Sequence, residues 1–84
     1  MTLEEANKIV TVDINYSALG WQWRIDTHKP YGSILGYDRY NSPEGALEEL
    51  KSFLRYFTEN VLKNGDTIRA YVNKHNPNKK ENDN

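Results

Sequence analysis

Between Ser42 and Gly65 apolar residues recur at three- and four-residue steps: Ala46, Leu47, Leu50, Phe53, Leu54, Phe57, Val61 and Leu62. Glu48, Glu49, Lys51, Ser52, Arg55 and Glu59 occupy the positions between them, so the stretch reads as one amphipathic helix with a wide apolar stripe. Its ends are signalled too. Ser42 suits the N-cap, Pro43 the first helical position and Glu44 the positive end of the helix dipole, while Lys63 and Asn64-Gly65 suit the last turn and the C-cap. Gly45 stands where a capping box would need Glu or Gln. The spacing predicts a helix of about 21 residues, roughly 31 Å long at 1.5 Å per residue. A single helix of this kind covers one face of a small sheet, and the other face must meet water or a partner.

The sheet is legible upstream. From Ile9 to Tyr16, Val10, Val12, Ile14 and Tyr16 alternate with Thr11, Asp13 and Asn15, the period-2 pattern of a strand with one buried face. Ser17 to Gly20 is a turn, and Trp21, Trp23 and Ile25 then alternate with Gln22, Arg24 and Asp26, giving an antiparallel hairpin. Lys29-Pro30-Tyr31-Gly32 carries the marks of a type I turn, with Pro at its first central position, leading to a third strand over Ser33 to Tyr40. In that strand Leu35 and Tyr37 compete with Ile34 and Tyr40 for the buried face, and Gly36 marks a bulge or a close approach of the backbone. After the helix, Ile68, Ala70 and Val72 alternate with Thr67, Arg69, Tyr71 and Asn73, which predicts a fourth strand running parallel to the first and pairing beside it. The expected fold is α+β: an antiparallel three-stranded meander, one long amphipathic helix on one face, then a fourth strand, in the order β-β-β-α-β. A helical turn over residues 2 to 8 fits ahead of it.

With 84 residues there is one domain, expected over residues 1–75. Residues 76–84, with Pro77 the sole apolar member, read as a disordered polar tail. The N-terminus has no basic region followed by an apolar run, and no apolar stretch approaches the roughly 20 residues of a membrane span. These features predict a soluble, cytoplasmic chain.

Catalytic and metal chemistry finds little footing. There is no cysteine, and the two histidines, His28 and His75, have no ligand at helical or hairpin spacing. Asp26, His28 and Asp38 around one hairpin are the best sketch of a metal site, outweighed by a solvated turn histidine. Ser17, Ser33, Ser42 and Ser52 lie in a turn, a strand end, a cap and a helix surface, and none has the glycine-flanked setting of a nucleophile. Glu48 and Glu49 are assigned to the outer helix face and the glycines are scattered singly, so neither an acid–base pair nor a phosphate loop is expected. The expectation is a non-enzyme with no cofactor and no metal.

The informative excess is aromatic: six Tyr and two Trp, most of them in the strand segment, exceed what one small core accepts. Trp23 and Tyr16 are expected beneath the helix. Trp21, Tyr31, Tyr40 and Tyr71, with the strand arginines Arg24, Arg39 and Arg69, are the candidate binding residues, because aromatic rings beside arginine make binding hot spots.

Gly20-Trp-Gln-Trp-Arg-Ile25, Gly36-Tyr37, Ser42 and Ala46 together resemble AP2-like and integrase arm-type DNA-binding domains, and small uncharacterised bacterial domains of similar pattern, over about residues 20–55. The resemblance implies a three-stranded sheet with a following helix, and a sheet that offers Arg24 and Arg39 to DNA. Charge opposes that use, since 11 basic against 12 acidic residues leave a net charge of −1, without the basic stripe that displaces counterions from phosphates. The leading expectation is therefore a protein-binding module, an inhibitor or adaptor of the kind encoded by phages and mobile elements, acting through the open sheet face or an edge strand. Nucleic-acid binding through the sheet and homodimerisation through the same surface are the alternatives.

Overall fold

The computed structural model describes residues 1–28 and 32–75. The chain is α+β, with a three-stranded antiparallel sheet in the order β1 (Thr11–Ser17), β2 (Gly20–Asp26), β3 (Ser33–Leu35). Helix α1 (Leu3–Asn7) precedes it, and α2 (Pro43–Tyr56) and α3 (Ile68–His75) follow. The turn predicted at 29–32 lies outside the described residues except for Gly32, whose carbonyl accepts from the Thr27 amide at 3.0 Å and closes the hairpin.

The register settles the faces. Val12, Ile14 and Tyr16 stand opposite Ile25, Trp23 and Trp21, and Ile34 stands opposite Ile25, so these share the helix-covered side. Thr11, Asp13, Asn15, Gln22, Arg24, Asp26, Ser33 and Leu35 belong to the other side. Trp23 is buried as expected, whereas Tyr16, expected in the core, is 68% exposed at the hairpin end of the sheet. Ile25 and Trp23 meet Leu50, Leu54, Phe57 and Val61 of the helical layer, with Ala6 and Val10 closing one end.

The long helix starts as predicted. Ser42 Oγ accepts from the Gly45 amide, Pro43 takes the first helical position, and Ala46, Leu50 and Leu54 are buried at helical spacing. Its length in α geometry is shorter than expected. The path changes to a π turn over Phe57–Val61 and a 3₁₀ turn over Leu62–Asn64 before Gly65 ends it with φ +86°. The side chains there explain the change: Thr58 Oγ1, Asn60 Nδ2 and Asn64 Nδ2 each donate to the carbonyl four residues earlier, competing with the amide ladder.

The predicted fourth strand is not a strand. Thr67–Asn73 falls almost wholly in α3, with Thr67 Oγ1 accepting from the Ala70 amide at 3.0 Å as a helix start does. Ile68 and Val72 are buried one helical turn apart, and Tyr71 packs edge-on against Phe57 with ring centroids 6.0 Å apart. Ala70, which the alternating pattern needed on the buried face, is exposed. The sheet therefore has no parallel strand among the described residues.

Candidate binding groove beside the third strand

The third strand was expected to run from Ser33 to Tyr40, and it stops at Leu35 for a reason visible at Gly36. A Cβ there would lie 2.4 Å from Trp23 Nε1 and 2.5 Å from Cδ1, so the Trp23 ring rests against bare backbone. The Gly36 amide still donates to Trp23 O at 2.9 Å. Pairing resumes only at Tyr40, which exchanges both main-chain bonds with Trp21 at 2.8 and 2.9 Å. Between these points Tyr37, Asp38 and Arg39 stand opposite Gln22 alone, whose side-chain amide fills the gap by donating to Gly36 O at 2.6 Å. Two extra residues are thus bulged out of the ladder, and Tyr37 at its start is 95% exposed.

Beside this bulge, β3 and α2 enclose a groove of about 380 Å³ lined by Trp23, Ile34, Leu35, Tyr37, Glu49, Ser52, Phe53 and Tyr56. Trp23 and Phe53 lie 5.2 Å apart at 31°, and Tyr56 adjoins Phe53 at 6.4 Å, forming a continuous aromatic wall. Leu35 and Tyr56, 55% and 50% exposed, complete the rim with Tyr37.

Glu49, assigned from the sequence to the solvent side of the helix, instead turns toward the sheet. Its Oε1 accepts from Trp23 Nε1 at 2.7 Å. Burial, and then the charges of Glu49 and Asp38, push the Tyr40 phenol above its ordinary value. The Tyr40 ring lies over Gly45, where a Cβ would come within 2.8 Å of its Cδ1, so the glycine that forfeits the capping box makes room for a ring.

Among the described residues no strand pairs with the outer edge of β3, and that edge borders the groove. Trp23 with Gly36 and Thr27 with Gly32 are the bonded positions of the β2–β3 ladder. Antiparallel alternation therefore turns the main-chain N–H and C=O of Ser33 and Leu35 away from β2. The opposite edge, on β1, is partly blocked: Asn7 Oδ1 accepts from the Val12 amide at 3.0 Å.

The sequence-predicted binding residues do not form one surface. Arg24 is on the open face, held to Asp13 at 3.3 Å, with Asn15 Nδ2 donating to the same carboxylate. Trp21 is half-buried on the covered face beneath Tyr16, ring centroids 5.1 Å apart. Tyr40 is half-buried against α2, and Arg39 is exposed in the bulge. Arg69 donates to Ile9 O at 3.0 Å, tying α3 to the segment before β1. Tyr71, counted among the candidate strand residues, is core packing on a helix, against Phe53 and Phe57. Tyr31 lies outside the described residues. The open face thus carries polar and charged side chains and Leu35 rather than the aromatic surplus.

Sequence reasoning missed the groove because its parts come from separate elements. The Gly36-Tyr37 pair was the available signal, and Tyr56, three residues after Phe53, extends the aromatic wall. Among the described residues no three His, Asp or Glu side chains converge as metal ligands, and no helix is long and apolar enough to cross a membrane. A second cavity, about 510 Å³ between α1 and α2, has no aromatic lining and is bordered by Glu4, Lys51, Arg55 and Glu59, charges of both signs. No family model, curated protein or solved structure matches this chain.

Proposed function

We propose that this chain is a non-enzymatic protein-binding module that takes an extended segment of its partner along the free edge of β3, the mode by which an inhibitor or adaptor adds a strand to a sheet. The observation that carries this reading is the convergence of two exposed aromatic rings, Tyr37 and Tyr56, on one groove beside the outward-facing main-chain groups of Ser33 and Leu35. Main-chain bonds supply affinity in strand addition and pockets for alternate side chains supply specificity, and both are present here. The open face favours nucleic acid less: Arg24 already faces Asp13, and the net charge is −1.

Selection of extended peptides from a displayed random library tests the reading. Leu35→Pro removes the outward-pointing N–H at an edge position where proline is tolerated. Selected peptides should perturb the amide resonances of Ser33 to Tyr37 and lose most of their affinity for Leu35→Pro. Undiminished binding to that variant would overturn strand addition at this edge. Sedimentation at high protein concentration, compared with Leu35→Pro, identifies a second copy as the occupant if self-association is present and the substitution abolishes it.

A further inference from the structure

We infer that the groove between β3 and α2 receives a cationic side chain, a lysine or arginine, from the segment that docks on β3. The inference rests on the edge-binding reading and names the chemistry of its partner. Rings of Trp23, Tyr37, Phe53 and Tyr56 line the groove, and Glu49 is the one ionisable carboxylate among them. The described lining contains no lysine, arginine or histidine to neutralise it. Lys51, the nearest cation in sequence on the same helix, is engaged instead with Glu48 at 3.8 Å.

Charge decides between occupants. The Trp23 indole donates to Glu49 Oε1 and fixes the carboxylate at the groove, and the Tyr40 phenol beside it is likewise neutral, so neither neighbour supplies a positive charge. A purely apolar occupant would strip solvent and leave a carboxylate without a counter-charge, which is costly. A lysine or arginine lays its alkyl stem along Ile34 and the Phe53 ring and brings its charged head to Glu49. The ring faces add cation–π attraction. The groove thus suits a side chain that is apolar along its length and positive at its tip.

The experiment titrates ¹⁵N-labelled full chain with acetyl-Thr-Val-Lys-Val-Thr-amide and with the same peptide carrying norleucine in place of lysine. The Trp23 indole N–H is the reporter and the Trp21 indole the control. The lysine peptide should bind about tenfold more tightly, the scale of a partly desolvated cation–π contact joined to an ion pair. Glu49→Gln, which keeps an acceptor for the indole, should erase most of that ratio. Tyr37→Leu, at a position the fold does not depend on, should reduce it several-fold. Equal binding of the two peptides, or a ratio unchanged by Glu49→Gln, would overturn the cation inference while leaving edge binding intact. Absence of any shift at Ser33 to Tyr37 with either peptide would remove both. Movement of the Trp23 indole with protein concentration alone would assign the groove to a second copy and overturn the inference.

Discussion

At Ile25 the covered face of the sheet reads Val12, Ile25 and Ile34 across its three strands, aliphatic side chains in unbroken register. One step along β2, at Trp23, the row reads Ile14, Trp23 and Gly36, and a large ring lies over a residue with no side chain. The aliphatic row keeps the ladder regular, and Ile25 is fully buried. The ring row shifts pairing by two residues, ejects Tyr37 and leaves the groove. Regular packing makes the core, and the bulk of one indole against a glycine makes the site.

Truncation in the two rows should separate them. Ile25→Ala should be the larger loss, about 2–5 kcal/mol from transfer and cavity terms at a site closed on both sides. For a chain this small, whose total stability is on the order of 4–13 kcal/mol at typical per-residue values, chemical denaturation should show a large fall in midpoint.

In the ring row the informative change is an addition. Gly36→Ala places a methyl group 2.4 Å from the indole Nε1, far inside van der Waals contact, so Trp23 must move, and with it the bond to Glu49 Oε1. Overpacking of this kind costs about 1–3 kcal/mol. The indole N–H resonance and the tryptophan fluorescence should shift as well, neither of which Ile25→Ala should alter to the same degree. If Gly36→Ala left both unchanged, the ring would not depend on the bare backbone and the contrast between the rows would fail.

The same contrast separates the features that local sequence pattern specifies from those it does not. The first two strands, both hairpin pairings, the start of α2 and the end of the helical path at Gly65 were legible because each rests on local pattern: alternation at Val12, Ile14, Trp23 and Ile25, the Ser42-Pro43 cap, and a glycine able to take positive φ; where β3 stops, and where α geometry gives way after Tyr56, were not. Gly36 as a close approach was legible as well, though not what approaches it. The failures sit where two periods share the same residues. Ile68, Ala70 and Val72 satisfy a strand, yet Ile68, Tyr71 and Val72 satisfy a helix, and burial of Ile68 and Val72 with the edge-on packing of the partly buried Tyr71 against Phe57 decides for the helix. Glu49 shows a further limit. The sequence pattern put it on the outer helix face, and only the Trp23 indole, 26 residues away in sequence, shows that it faces the sheet. The groove combines two such non-local facts, so the sequence-level candidates were scattered over both faces of the sheet and over α3.

The smallest effect sharpens the ring row further. Tyr40 ends that part of the sheet, half-buried over Gly45, and its phenol is raised by burial first and by the charges of Glu49 and Asp38 after it. A raised folded value means the native protein holds this proton longer than the unfolded chain does. The associated stability is fully present below the ordinary tyrosine value of 10.0 and is lost as pH rises through the folded value. Absorbance at 295 nm should therefore show one tyrosine titrating late, and Tyr40→Phe should remove that phase. Glu49→Gln deletes the second cause and keeps the first, so it should bring the late phase part of the way back toward the ordinary value. A late phase that ignores Glu49→Gln would mean that the carboxylate faces the groove alone. It would then act on Trp23 without reaching Tyr40, and the ring row would be two separate contacts instead of one connected set.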